Sequence, residues 1–428
     1  IVGRLFDPAT TENTIRMAVE VMNDHNTSLA TKLCAVRAFG ALLSQTAAPV
    51  EIVIPMIHHI CALSTLTDED TVYMLVESMT AIYSCNRDAL PQEALAPGVQ
   101  LVLSVWTVYG SDPLCVEVGR TALLSLAKST AGRSVRAEMY LPQMQHILQA
   151  ESTTLAPGLI EAALAVLEKL FSCGDDSLRA LIVRQTLPHL TALALNTGLG
   201  SLRAVTASCL GTFMATCGAV HSLYPAEETA AVLGSLSALI PALLTLPDGL
   251  PDHVLPNAVK YFCHLLLSCA EVMEDGSIVY ALNLLFQRYS HTQLASAKAC
   301  VVMGCVHLVA RMPKVIMLLN QVSCDQQTAL GVLLDAWAEL HDQLVTNYTA
   351  KISAFGMLNV VDMFSSSQYA IARRIFQVAL RTIGSLVVNG ADAEDLDTAA
   401  ANAESASDLD DEEDEEDYDD GFGDEEYD

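Results

Sequence analysis

Apolar residues recur along most of this chain at steps of three and four, which is the spacing of one face of an α-helix. The clearest of these stripes consists of Val72, Leu75, Met79 and Ile82. Glu77 falls off that stripe, as expected for the solvated side of the same helix. Alternating β-branched runs bounded by turn dipeptides, which would indicate strands, are missing. The pattern therefore predicts an all-α fold.

The predicted helices begin at residues that suit a first turn. Thr67 and Asp70 have the spacing of a capping box ahead of the stripe. Asp112 can cap a helix that starts at Pro113, and another helix is predicted to start at Pro157, because a proline at the first position loses no hydrogen bond. The predicted inner faces of these two helices are Cys115, Val118, Ala122 and Leu126, and Leu159, Ala163, Val166 and Leu170.

A proline recurs within apolar helical segments at Pro55, Pro97, Pro142, Pro188 and Pro241. The successive spacings of 42, 45, 46 and 53 residues leave room for one further amphipathic helix between each two prolines. HEAT and armadillo repeats have periods of about 40 to 47 residues, and each repeat buries its apolar face by stacking on its neighbours. The sequence predicts a HEAT-repeat superhelical solenoid of antiparallel helix pairs over residues 1–388. The alternative is a large irregular helical protein with prolines placed by chance.

Charge is distributed unevenly along the chain. The sequence holds 22 Lys and Arg against 51 Asp and Glu, a formal net charge of −29. Residues 392–428 contain 20 of those acids and no Lys or Arg. Such a run repels itself and cannot enter a core, so residues 389–428 are predicted to form a disordered acidic tail or loop. A nucleic-acid backbone would be repelled by this field, whereas a basic protein would be attracted, so no direct nucleic-acid binding is expected.

Residues 229–247 contain no charged side chain and are long enough to cross a bilayer. Pro241 interrupts this stretch, acids flank it, and no basic cluster is present to set an orientation. The composition favours a helix buried on all sides in a soluble protein, and no membrane insertion is expected.

The cysteines and histidines do not form a recognisable metal or redox motif. The twelve cysteines are scattered singly through apolar segments, which predicts free, buried thiols in a reducing compartment. His58, His59 and Cys61 lie close together, as do Cys263 and His264, but neither group has a second cluster at ligand spacing. No metal site is predicted.

Catalytic motifs are also missing from the sequence. It contains no phosphate loop, no GxSxG, no HExxH and no glycine-rich dinucleotide turn. Paired acids such as Asp175 and Asp176, or those at residues 68–70, fall where helices begin and complement the helix dipole there. We therefore expect neither an enzyme nor a bound cofactor.

Four consecutive segments resemble the importin-β (karyopherin) superfamily of nuclear transport receptors. They read LVLSVWTVYG, DPLCVEVGRTALLSL, YLPQMQHILQA and APGLIEAALAVLEKL. The resemblance extends through WAELHDQLVTNYTAKIS and the helix predicted at residues 371–388 to the acidic run that follows. Members of this superfamily are about twice as long, so the resemblance implies that upstream repeats, those that contact Ran-GTP, precede this portion.

The resemblance implies a receptor that shuttles between cytoplasm and nucleus, binds nuclear pore FG-repeat proteins, and carries basic cargo such as core histones or ribosomal proteins. Two other functions stay open: an export receptor of the same superfamily, and a HEAT-repeat scaffold of a multiprotein complex whose acidic tail serves solvation alone.

Candidate residues for binding basic cargo lie in the tail. The acids would cover cargo charge, and the aromatic residues could anchor in apolar pockets or stack on arginine, although they could equally be chance residues in a solubilising segment. The candidates are Asp408, Asp410, Asp411, Glu412, Glu413, Asp414, Glu415, Glu416, Asp417, Tyr418, Asp419, Asp420, Phe422, Asp424, Glu425, Glu426 and Tyr427.

Two serines in the same segment are candidate phosphorylation sites. Ser405 and Ser407 precede Asp408 and Asp410 by the spacing that acid-selective kinases favour. Each phosphate adds roughly 1.5 to 2 negative charges, so a doubly phosphorylated tail peptide is expected to bind a core histone dimer slightly more tightly than the unmodified peptide. Titration of both peptides at matched salt measures the difference. Weaker binding by the phosphorylated peptide would contradict the electrostatic argument.

Overall fold

The computed structural model describes residues 8–43, 48–86, 89–127, 136–149, 155–217, 223–245, 250–269, 271–324, 326–340 and 347–361. Almost all of these residues are helical. The only strands in this part of the chain are two strands of two residues each, which form a hairpin. The predicted all-α fold is confirmed.

The helices are α1 (Pro8–Asn23), α2 (Leu29–Leu43), α3 (Val50–Leu63), α4 (Glu69–Asn86), α5 (Gln92–Tyr109), α6 (Pro113–Ala127), α7 (Leu141–Gln149), α8 (Pro157–Cys173), α9 (Asp176–Asn196), α10 (Gly200–Cys217), α11 (Ala226–Leu244), α12 (Leu255–Cys269), α13 (Asp275–His291), α14 (Ala295–Arg311), α15 (Lys314–Leu319), α16 (Ala329–Leu340) and α17 (Asn347–Val361). A π-helical turn, Arg136–Tyr140, leads into α7, and a 3-10 turn, Asp252–Val254, leads into α12. Strands β1 (Ser323–Cys324) and β2 (Gln327–Thr328) pair antiparallel, with Ser323 opposite Thr328.

The chain divides into two compact units. The first consists of residues 1–304 and 321–329, and the second of residues 305–320 and 330 onward.

Within the first unit the helices form two layers. The odd layer runs from α1 to α13, with contacts between α1 and α3, α3 and α5, α7 and α9, α9 and α11, and α11 and α13. The even layer runs without a break through α2, α4, α6, α8, α10 and α12. From α1 to α11, each odd helix also packs on the even helix that follows it, as in α1–α2, α5–α6 and α9–α10. This arrangement is a stack of antiparallel helix pairs, the α-solenoid architecture of armadillo and HEAT repeats.

The recurring prolines all lie in the odd layer. Pro55, Pro97, Pro188 and Pro241 lie inside α3, α5, α9 and α11, and Pro142 is the second residue of α7. The helices predicted between them are α4, α6, α8 and α10, so the repeat period read from the prolines is confirmed.

Most of the predicted helix faces and starts are confirmed. The stripe on α4 and the predicted face of α8 are buried throughout, whereas Val118 on α6 is half-buried. Asp112 caps α6, its Oδ1 accepting from the Leu114 N–H at 2.7 Å. The predicted capping box at Thr67 is wrong. Asp68 occupies that place and accepts the Thr71 hydroxyl at 2.7 Å, because the helix begins one residue later.

Helix α11 is not buried on all sides, so that prediction is also wrong. It carries the one described helical window, Glu227–Leu244, that is long and apolar enough to span a membrane, yet only 28% of the window is buried. The buried side consists of Leu236, Leu239, Ile240, Leu243 and Leu244. The exposed side carries alanine, glycine and serine, which are uncharged and too small to require burial.

Both tryptophans are fully buried, each against a glycine of the next helix. Trp106 donates from Nε1 to the Val116 carbonyl at 3.1 Å, and a Cβ on Gly119 would collide with the indole. In the second unit, Trp337 donates to Ser353 Oγ at 2.8 Å, and a Cβ on Gly356 would lie 2.8 Å from the ring. In both pairs the glycine follows the acceptor by one helical turn, so the helices approach closely at the indole.

An ion pair ties together the turns of two consecutive helix pairs. Arg288 on α13 is 3% exposed and donates to Asp252 Oδ1 at 2.6 Å. The other carboxylate oxygen accepts the backbone N–H groups of Gln293 at 2.8 Å and Leu294 at 3.4 Å. These backbone donors, with Arg288, lower the pKa of Asp252. The carboxylate thereby joins the turn before α12 to the turn after α13.

Replacement of Trp337 by alanine is expected to lower the free energy of unfolding by about 3–5 kcal/mol, because it leaves a cavity and removes the hydrogen bond from the indole to Ser353. Urea denaturation followed by circular dichroism measures the loss. Phe355→Ala removes an aromatic side chain that is 50% exposed and serves as the control. Equal losses in the two variants would contradict the core role of the indole.

Asp252→Asn is expected to lower stability at neutral pH by about 1–3 kcal/mol, because buried Arg288 loses its anionic partner. The folded-state pKa is depressed, so the carboxylate stabilises the fold above its unfolded pKa of about 3.9 and this contribution is lost as pH falls through the folded value. The difference between wild type and variant should therefore shrink below about pH 4. Asp176→Asn, at an exposed ion pair, is the matched control. A pH-independent difference in unfolding midpoints would refute the assignment.

Candidate functional site

The polar residues of the described part of the chain do not assemble a metal centre. No group of three or more His, Cys, Asp or Glu among them could hold a metal ion. Burial raises the pKa of Cys61 and Cys217 to about 11 and that of Cys305 to about 12, so these thiols are protonated at neutral pH. None of the twelve cysteines, all of which the structure describes, is joined in a disulfide. The prediction that they are buried is wrong for Cys34 and Cys173, which are exposed, and four others are half-buried.

The paired acids act at helix ends. Asp175 caps α9, accepting the Leu178 N–H at 2.9 Å, and Asp176 forms an exposed ion pair with Arg179 at 3.3 Å. Both placements match the role in helix initiation that the sequence predicts.

The odd layer carries a cleft beside α5, which we name the Val108 cleft. Its volume is about 480 Å³, and its walls come from α5, the π-helical turn and α7. Val108 is 67% exposed at one edge, and Gln143 donates to Thr107 Oγ1 at 3.1 Å across the wall. Neutral side chains dominate the lining, with Glu138 as its one charged member. The cleft lies within the size range of about 300–1,000 Å³ typical of ligand pockets.

A second cleft lies between α11 and α13, which we name the Tyr280 cleft. It has a volume of about 490 Å³ and is lined mainly by apolar groups, namely Ala238, Ile240, Pro241, Met273, Gly276 and Tyr280. Tyr280 is 56% exposed and forms one wall. On the other side of Tyr280 a smaller cleft of about 360 Å³ continues towards β1, lined in part by Asn283 and Gln321. The two clefts share Gly276 and Tyr280, so the ring stands between them.

The even layer carries a polar bridge across three helices. Lys260 on α12 donates to Thr212 Oγ1 on α10 at 3.0 Å, and its Nζ lies 3.5 Å from Glu168 Oε1 on α8. The Thr212 hydroxyl in turn donates to the same Glu168 oxygen. The lysine side chain is 37% exposed and the glutamate 28%, so this polar bridge lies at the surface of the layer.

The residues predicted from sequence to bind cargo, and the two serines, lie outside the described residues. The clefts themselves escaped sequence reasoning. The available signal was a large apolar residue off the buried stripe, as at Val108 and Tyr280.

No protein family profile and no curated protein matches the sequence of this chain. Among solved structures, the chain is similar to a designed armadillo repeat protein in complex with the peptide (KR)4, at 14% identity and a TM-score of 0.41, covering 58% of this chain and 98% of that one. It is also similar to two engineered proteins from a structural genomics consortium. One shows 16% identity and a TM-score of 0.39, and the match covers 59% of this chain and 96% of that one. The other shows 15% identity and a TM-score of 0.35, and the match covers 87% of this chain and 99% of that one. The solenoid assignment rests on the packing of the helices described above.

Proposed function

We propose that this chain is part of a nuclear transport receptor of the importin-β superfamily, which binds and shields basic cargo such as core histones or ribosomal proteins. The observation that carries the proposal is the attachment of 20 acids in residues 392–428 to a stack of helix pairs. Basic cargo would otherwise adhere to RNA and DNA, and a polyanion on the receptor replaces that contact. Within the superfamily, the order of segments around Trp337 and the acidic run most resembles importin-9.

The Val108 cleft supplies a second part of the proposal. Its largely neutral rim and exposed apolar edge suit the uncharged, phenylalanine-containing repeats of nuclear pore proteins. An apolar side chain entering the cleft would bury surface at about 25 cal/mol per Å² without desolvating a row of charges. Ran-GTP is proposed to bind through repeats upstream of this chain, and the receptor to shuttle between cytoplasm and nucleus.

Ran-GTP separates this function from its two alternatives. In a form of the protein that includes the upstream repeats, an importin releases histone when Ran-GTP is added, an export receptor binds its cargo more tightly, and a scaffold is indifferent. Histone binding that Ran-GTP leaves unchanged would favour the scaffold and overturn the proposal.

Removal of residues 392–428 is expected to weaken binding of a core histone dimer by about tenfold at low ionic strength and to flatten the salt dependence of the affinity. Exposed charges are screened over about 10 Å at 0.1 M salt, so the difference should narrow as salt rises. Affinities of the full chain and of residues 1–391 at two salt concentrations measure the effect. A tail of unchanged length with Asn and Gln in place of its acids is the control. Equal affinities and equal salt slopes would remove the tail from the mechanism.

A further inference from the structure

The Tyr280 cleft differs from the Val108 cleft in the charge of its rim. Glu274 lines it, and its sequence neighbours Glu271 and Asp275 are exposed where the chain enters α13. Residues 271–287 contain no Lys or Arg, and neither does α11, which forms the opposite wall. The N-terminus of α13 contributes about half a positive charge, which three carboxylates outweigh. The mouth of the cleft is therefore an apolar depression with a negative edge.

We propose that this cleft binds an extended segment of a partner protein in which one aromatic side chain is flanked by lysine or arginine. The aromatic side chain would enter between α11 and α13, against Ile240 and Pro241, and contact the ring of Tyr280. The flanking cations would lie along Glu271 and Glu274. In protein interfaces, aromatic side chains anchored in apolar pockets usually supply most of the affinity. Complementary charges at the rim mainly steer the partner and set specificity.

The neighbouring smaller cleft fixes the path of the segment. It continues from Tyr280 towards β1 and presents the side-chain amides of Asn283 and Gln321. Amides donate and accept, so they suit the backbone of an extended chain crossing the Tyr280 ring. A segment in this position would contact both clefts while its cations remain on the solvated side.

Charge decides against other occupants. The tail of this chain carries aromatic residues, but its acids would be repelled by the rim. A neutral phenylalanine-containing segment would gain nothing from the rim and is better matched by the Val108 cleft, where Gln100, Ser104 and Gln143 accompany Glu138, the one charged lining residue. The inference goes beyond the proposed function, because it requires neither the tail nor Ran-GTP.

The test uses the full chain and a fluorescein-labelled peptide with a single Phe between two pairs of lysines, followed by fluorescence polarisation. A peptide with Ser in place of Phe has the same charge, so any contribution of the acidic tail affects both peptides alike. We expect the Phe peptide to bind about tenfold more tightly than the Ser peptide.

The Tyr280→Ala variant should abolish this preference. The double variant Glu271→Gln with Glu274→Gln should weaken binding of the Phe peptide and reduce the salt dependence of its affinity. Leu66→Ala, at an exposed apolar position outside both clefts, should leave the preference unchanged.

Three outcomes of the binding assay would overturn the proposal. Equal binding of the Phe and Ser peptides would show attraction to negative charge alone. A preference for Phe that survives Tyr280→Ala would show that the cleft does not bind the aromatic side chain. An equal preference in a peptide with Glu in place of Lys would show that the acidic rim does not contribute to recognition.

A photoreactive phenylalanine at the anchor position gives an independent readout. Crosslinks to α11 and α13 support the proposal, and crosslinks confined to other helices or to the tail contradict it. Failure of the Tyr280 cleft proposal would not change the result expected for deletion of the tail. The two proposals can therefore be contradicted independently.

Discussion

Each helix pair of this protein exposes more apolar surface than it can bury alone, and stacking on the next pair removes that surface from water. The even layer shows the consequence most clearly, because α2 to α12 pack in an unbroken series and their buried faces are continuous. Stability in such a stack is shared between neighbours rather than held by one central core. The tight places, such as the indole of Trp106 against Gly119, are where a pair is joined internally. The polar places, such as Asp252 with Arg288, are where one pair is joined to the next.

The helix pairs could be predicted from the sequence because burial in a stack is periodic in two ways. Apolar steps of three and four mark the face of each helix, as for Val72 and Met79, and the prolines mark one helix in every pair. Local signals were accurate where a side chain acts on its own turn, as Asp112 does. They failed by one residue at Thr67, because several polar residues in succession could each have served as the cap.

The surface sites could not be predicted for a different reason. A helix in a two-layer stack touches its partner and two layer neighbours, so burial on its flanks depends on the sizes of side chains from elsewhere in the chain. Helix α11 is exposed along a face of small residues, although its hydropathy suggested complete burial. Tyr280 resembles a core residue in sequence, yet it stands between two clefts because the adjacent α11 and β1 leave room on either side. Only the assembled layer determines which apolar residues remain available to a partner.

The bridge formed by Glu168, Thr212 and Lys260 bears on how such a protein can evolve. Repeat proteins are often regarded as interchangeable modules that can be duplicated, deleted or shuffled. Here the ammonium group of Lys260 pairs with the carboxylate of Glu168, which lies two helix pairs away. The hydroxyl of Thr212, on the pair between them, hydrogen-bonds to both groups. Deletion or duplication of the middle pair would separate the two charges, and a substitution in any one of the three helices would alter what the other two tolerate. The physical coupling between these repeats therefore spans about ninety residues of sequence, from Glu168 to Lys260, rather than one repeat.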